Sequence, residues 1–208
     1  EFLVDFTVNY KNKFSGALVS SAPLTQKIPY EGKIKIPQIP TISKPGHTYT
    51  FKHWQLQDEM NGQYVETTAY DMANSKITKN ISLVAYFTEE IANVTYTINH
   101  VIEGADNLPN EIKAETKTAQ ANSQVTISSA DRLKNEYQTG FDVATQTQTK
   151  EIAADGSTVF TLFYSRRRFN VNFEVNYNGN HFSGVLATHE QTQTVKYGSK
   201  VERPVANP

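Results

Sequence analysis

Trp54 is the only tryptophan among 208 residues, and an indole face can stack on a sugar ring or a cation. It sits in an aromatic stretch with Tyr49 and Phe51, which assigns it to a core centre rather than to a ligand platform. The five histidines are His47, His53, His100, His181 and His189. No two share a strand or helix at ligand spacing and there is no His-Glu-x-x-His, so neither zinc binding nor histidine catalysis is expected. The acid pairs Asp58-Glu59 and Glu89-Glu90 fall at turn and linker positions. Neighbouring strand residues point to opposite faces, so neither pair can flank one substrate bond.

Other polar groups have structural readings. No phosphate loop and no Gly-x-Ser-x-Gly elbow is present. Ser128 and Ser129 read as helix caps rather than nucleophiles. Asp106-Asn107 and Asp155-Gly156-Ser157 offer oxygens for weak calcium binding, but turn chemistry accounts for them. Asn80-Ile81-Ser82 and Asn93-Val94-Thr95 are formal glycosylation acceptors. A Lys–Asn isopeptide crosslink would need a buried lysine, asparagine and acid together. Arg166-Arg167-Arg168, the one dense basic patch, reads as a solvated joint between strands rather than a phosphate site. No catalytic, cofactor-binding or metal-binding residue is therefore expected, and no enzyme activity.

The elements that must hold these residues are strands. Phe2, Val4, Phe6, Val8 and Tyr10 alternate with more polar residues, the mark of a strand with one buried face. Thr25 to Ile36 is extended chain broken at Pro29, and the prolines between Pro37 and Pro45 make a connection. Tyr49, Phe51 and His53 alternate with Thr50, Lys52 and Trp54. Asn61-Gly62 supplies the positive φ angles of a tight turn, and Tyr64 to Thr67 returns from it. Ile81, Leu83 and Ala85 mark a strong strand, as do Val94, Tyr96, Ile98 and His100, and later Val159 to Tyr164. The one expected helix starts at the capping box Ser128-Ser129-Ala130-Asp131, continues as short turns through Tyr137 and stops at Gly140.

Above the elements lies a repeat. Phe6-Thr7-Val8-Asn9-Tyr10 recurs as Phe173-Glu174-Val175-Asn176-Tyr177, and Tyr30-Glu31-Gly32-Lys33-Ile34 as Tyr197-Gly198-Ser199-Lys200-Val201, both at an offset of 167 residues. Phe14-Ser15-Gly16 returns as Phe182-Ser183-Gly184. Thr95-Tyr96-Thr97-Ile98-Asn99-His100 is a more distant copy of the same opening, so the period is about 80 residues. The expected domains are 1–90, a β module; 91–167, a divergent β module with one short helix; and 168–208, the opening half of a third repeat. A unit of about 80 residues is marginal alone. The half repeat is expected to pair with the middle unit or with another molecule.

The chain carries 20 basic and 21 acidic residues, a net charge of −1, with no long run of one sign. That argues against a nucleic-acid partner or an electrostatic grip on lipid. No cysteine is present, which excludes disulfides and suits either the cytosol or a Gram-positive cell surface. No apolar run approaches the ~20 residues needed to cross a bilayer, so no membrane insertion is expected. The chain opens on charged, strand-like sequence rather than a signal peptide. The signal and anchor of a secreted parent would lie outside it.

Gly46-His47-Thr48-Tyr49-Thr50-Phe51-Lys52-His53-Trp54 resembles the Gly-Tyr-x-Phe-x-Gly-Trp core of the Listeria–Bacteroides repeat, or internalin-type B-repeat. Tyr70-Asp71-Met72 and Lys76 through Phe87 resemble its closing pattern, and Val195 through Val201, with Pro204 and Pro208, its opening half. The middle unit, with Tyr-Thr-Ile-Asn-His and Ile152 to Thr158, is similar to repeats that alternate with these and to mucin-binding-protein repeats. His53 in place of a glycine and the insertion around Phe14 to Leu24 depart from the pattern. The resemblance implies small β-grasp-like modules in a Gram-positive cell-surface protein.

The expected fold class is thus α+β, mostly β, as tandem β-grasp-like modules in an elongated arrangement. The expected function is a non-catalytic stalk or spacer in an adhesin, at the cell surface or in the cell wall. The competing readings are a binding module for host glycan or protein, with Tyr10, Tyr30 and Tyr197 as exposed contacts, and an accessory repeat of a secreted enzyme. Its partners would be neighbouring repeats of the same chain and a host glycan or surface protein.

Overall fold

The computed structural model describes residues 1–20, 24–133, 137, 139–143, 147–173 and 191–202. It is mostly β, 52% strand against 6% helix, and it divides into two compact units. The first comprises Glu1–Val94 with Gln120–Asn122, the second Thr95–Ala119 with Ser123–Pro208.

In the first unit the strands are β1 (Phe2–Thr7), β2 (Leu18–Val19), β3 (Leu24–Ile28), β4 (Ile42–Ser43), β5 (His47–Leu56) and β6 (Ile81–Ile91). The main sheet has the order β3-β1-β6-β5. Its central pair, β1 and β6, is parallel, and both outer pairings are antiparallel. The period-two pattern sends Val4, Phe6, Leu83, Ala85 and Phe87 into one core with Trp54, Met72 and Ile77. Phe14 lies in the stretch read as an insertion, yet it is buried at the centre of that core. It meets Tyr49, Tyr64 and Phe87 edge-on at 4.8, 5.4 and 6.3 Å. Asn9 holds it there: Asn9 Oδ1 accepts from the Phe14 N–H at 2.9 Å, and Asn9 Nδ2 donates to the Phe14 carbonyl.

The second unit contains β7 (Asn93–Ile102, its first two residues assigned to the first unit), β8 (Glu111–Gln120, its last residue assigned to the first unit), β9 (Gln124–Ile127), β10 (Phe141–Val143), β11 (Gln148–Glu151), β12 (Val159–Arg166), β13 (Arg168–Phe173) and β14 (Gln191–Lys196). Its main sheet runs β10-β12-β7-β8, again with a parallel central pair, β7 and β12. The two units therefore share one strand plan. Among its described residues, Tyr96, Ile98, Ile102, Ile127, Phe141, Ile152, Phe160, Leu162 and Tyr164 are the buried apolar ones.

Two local expectations are corrected. Asn61 and Gly62 do take positive φ, 49° and 77°, but they close the short 3-10 helix Gln57–Met60 rather than a hairpin. Tyr64 to Thr67 forms no strand. The capping box is present, with Ser128 Oγ accepting from the Ala130 N–H and Asp131 from the Ser128 N–H. The helix it opens is nevertheless only Ser129–Asp131, because Arg132 is extended (φ −63°, ψ 151°). The Leu133 N–H is donated to Tyr164 Oη at 2.8 Å, so a buried tyrosine takes the amide that would have carried the helix on.

Candidate functional site

A β-bulge in β5, between Phe51 and His53, resets the alternation read from the sequence. One extra residue turns the strand by a face, so Phe51 and Trp54 pack on the same side, 5.9 Å apart. Trp54 is 6% exposed and meets Phe6 edge-on at 5.1 Å. It is a core residue with no face open to a ligand. His53 turns away from that core, with Nε2 3.1 Å from the Thr67 carbonyl and its ring tilted against Tyr86.

Gln55 was not singled out from the sequence, yet it is fully buried. Its Nε2 donates to the Val65 carbonyl at 2.7 Å and its Oε1 accepts from the Thr67 N–H at 2.8 Å. One side-chain amide thus replaces the missing strand partner for residues 65–67. Tyr64 is used similarly: its hydroxyl accepts from the Phe87 N–H at 2.6 Å and donates to the Ala85 carbonyl. Burial pushes the Tyr64 phenol up to about 12.

A polar corner of the first unit joins His47, Tyr49 and Glu89. His47 Nδ1 lies 2.8 Å from Glu89 Oε1, the Tyr49 hydroxyl donates to the same oxygen at 3.0 Å, and the two rings stack. Burial first, then the Glu89 hydrogen bond and charge, push Tyr49 up to about 12. Next to it is an open groove of about 600 Å³, lined by Leu18, Ile42, Lys44, His47 and Tyr49 among others. Here a carboxylate orients an imidazole and a phenol. Lys44 is turned aside, donating to the Ser15 carbonyl at 3.1 Å.

In the second unit His100 is fully buried. Its Nδ1 lies 2.8 Å from Tyr164 Oη and its Nε2 3.4 Å from Glu115. Burial raises Tyr164. These groups hold β7, β8, β12 and Leu133 together.

The arginine triplet is a joint in which every member is engaged. Arg166 donates from its N–H to Glu103 Oε2, from Nε to the Glu103 carbonyl and from Nη1 to the Tyr197 carbonyl. Arg167 pairs with Asp142 at 3.0 Å and Arg168 with Glu103 at 3.6 Å. Lys196 Nζ lies 2.7 Å from the same Glu103. That hydrogen bond, followed by the one from the Arg166 N–H, holds the Glu103 carboxyl below its ordinary 4.5. Asp106 accepts from the Lys200 N–H, and its own N–H donates to Ser199 Oγ at 3.0 Å. The Tyr197 ring packs on Gly140, where an added Cβ would fall 2.3 Å from it, and meets Phe141 at 5.8 Å. The hairpin β13–β14 is docked on the second unit by these contacts.

The remaining candidates have local roles. Asp155 Oδ1 accepts from the Ser157 N–H in a tight turn, and hydrogen bonds with Ser157 lower its carboxyl below the ordinary value. Asn80 Oδ1 accepts from the Leu3 N–H at 2.9 Å, and Asn93 opens β7. Asp58, Glu59 and Glu90 are exposed. Tyr30 is exposed, Tyr197 partly so, and Tyr10 is buried with Met60 and Val84. Tyr10 is therefore no surface contact: β1 ends at Thr7 and the turn at Tyr10–Asn12 tucks it in. Among the described residues the buried polar side chains are Gln55, His100 and Thr158, with no lysine among them. No group of three His, Cys, Asp or Glu there could hold a metal. No described helix is long and apolar enough to cross a membrane. His181, His189 and Phe182-Ser183-Gly184 lie outside the described residues.

Comparison with protein-family models, with curated proteins and with solved structures gives no match to the chain.

Proposed function

We propose that this chain is a non-catalytic repeat region of a Gram-positive cell-surface or secreted protein, acting as a stalk or spacer in an adhesin. The observation that carries the reading is the rebuilding of one hairpin. β13 pairs β14 as β1 pairs β3, with Phe169↔Val195 standing for Phe2↔Ile28 and Asn172↔Thr192 for Asp5↔Thr25. The polar clips are copied too. Gln26 binds both the carbonyl and the N–H of Lys35, and Gln193 binds both groups of Glu202. Thr25 donates to Asp5 and Thr192 to Asn172.

Modular repetition of this kind suits reach and presentation. The parallel central pair flanked by antiparallel strands supports the β-grasp-like reading of each unit, and the Trp54 and β6 segments support the B-repeat resemblance. The polar clusters at His53, Gln55, His100 and Glu103 bond to the fold itself, which favours a structural role over catalysis. Small-angle scattering of the chain is the test. An extended particle is expected, and one compact globule would overturn the stalk reading.

The groove beside His47, Tyr49 and Glu89 favours a second reading, a binding module for host glycan or protein. A glycan array probed with the chain, followed by Tyr49→Phe and Glu89→Gln, tests it. Absence of any hit at high protein concentration would remove it.

A further inference from the structure

We infer that the groove over Trp54 is a recognition site for a proline-rich extended peptide, occupied in cis by the chain's own strap from Ile34 to Pro40. The strap carries Ile36-Pro37 and Ile39-Pro40. Each proline fixes its own φ at about −65° and confines the residue before it to extended backbone. Neither proline can donate to a sheet, and no group from Ile36 to Pro40 makes a backbone–backbone hydrogen bond with a described residue. Such a segment is a polyproline II helix, with about three residues to the turn.

Burial follows that turn. Ile34, Pro37 and Pro40 are buried, whereas Lys35, Ile36, Gln38 and Ile39 are exposed, Ile36 to 66% and Ile39 to 52%. Every third residue of the strap therefore faces the protein. Pro37 and Pro40 close a small cavity of about 10 Å³ together with Phe6, Val8, Leu24 and Trp54. Aromatic side chains under prolines at this spacing are the means by which polyproline II segments are read. Trp54 is 6% exposed, and its Nε1 has no hydrogen-bond partner among the described residues. An indole N–H can only donate, so a peptide that brings a backbone carbonyl to it gains a bond that the strap does not make.

Polar clips hold the two ends of the strap. Gln26 Nε2 donates to the Lys35 carbonyl at 2.6 Å and Gln26 Oε1 accepts from the Lys35 N–H at 3.0 Å. At the other end the Ser20 N–H donates to the Thr41 carbonyl and Ser20 Oγ accepts from the Thr41 N–H. The side-chain bonds of both clips are exposed, so water competes for them. A tethered segment acts at an effective concentration on the order of millimolar, so a peptide in trans enters once a clip is released or the strap is weakened. The occupant is defined by what fills the groove in cis: an apolar residue and two prolines at every third position of a polyproline II segment, supplied by another protein. The inference does not depend on the stalk reading.

The test uses the whole chain and a labelled synthetic peptide, Lys33–Ser43, with a peptide carrying Pro37→Gly and Pro40→Gly as control. Two variants of the chain open the groove. One carries Pro37→Gly and Pro40→Gly in the strap, and the other carries Gln26→Met, which removes a clip and leaves every core residue in place. Protection of the Thr67 amide, held by the buried Gln55, reports that the first unit is still folded, and Gln26→Met carries the test alone should the double variant unfold. Fluorescence anisotropy should show saturable binding to the folded variants at least tenfold tighter than to the wild type, with a shift in Trp54 emission. The control peptide should bind at least tenfold more weakly. Absence of saturable binding to every folded variant overturns the inference. So does equal binding of the control peptide, or binding that leaves Trp54 emission unchanged. Concentration-dependent self-association of a folded variant that shifts Trp54 emission without peptide would assign the groove to a second copy and overturn it too.

Discussion

Three glutamines show how much the value of one contact depends on water. Gln55, Gln26 and Gln193 each bind a carbonyl and an N–H of a passing segment, but only Gln55 is fully buried. Gln55→Met leaves the part-buried Val65 carbonyl and Thr67 N–H without their buried partner and should cost about 2–3 kcal/mol, whereas Gln26→Met exposes its partners to water and should cost about 1 kcal/mol or less. Urea unfolding of the two variants measures the contrast. Trp54→Ala should cost about 3–5 kcal/mol, because it empties the space between Phe6 and Phe51. Tyr49 and Tyr64, each pushed up to about 12, should titrate above the ordinary phenol value of ~10 in an ultraviolet pH titration. Their folded values lie above the unfolded one, so this contribution to stability is complete below pH ~10 and is lost as pH rises toward the folded values. The core role of Trp54 was legible in the sequence from its aromatic neighbours. Gln55 was not, because a polar residue beside a core tryptophan reads as an outward strand position until the bulge at Phe51/His53 is known.

At the scale of elements, β13–β14 carries its own pairing, and Glu103 and Gly140 attach it to the second unit. Glu103 is depressed below 4.5 by Lys196 and the Arg166 N–H. Its contribution to docking is therefore present above the unfolded value and lost as pH falls through the folded one. Glu103→Gln should release the hairpin at neutral pH in the way that acid does for the wild type. The Gly140 resonances, shifted by the Tyr197 ring, report both. Gly140→Ala should have the same effect at every pH, since φ is +82° and the added methyl meets that ring. The capping box at Ser128 was legible, but the short run of helix it opens was not. Its continuation depends on whether the Leu133 amide stays in the helix or goes to Tyr164, a residue distant in the chain.

At the scale of the molecule, each unit closes its own sheet around its own parallel central pair. The single tryptophan lies in the first unit, so its fluorescence in denaturant should follow that unit alone. Far-ultraviolet circular dichroism should show a further component from the second, and coincident transitions would mean the two unfold as one. The repeat, the strand-rich class and the alternating core positions of β1, β6, β7 and β12 were determined by the sequence itself, because period-two alternation and a fixed offset are properties of the chain alone. The tertiary structure alone decided which edge of each hairpin is filled and where the bulge inverts a face. It also decided that Phe14 is core, that Tyr10 is hidden and that the arginine triplet converges on Glu103. The physical reason is common to all of these. Each depends on what a distant segment brings within hydrogen-bonding or van der Waals reach, and local pattern carries no record of that partner.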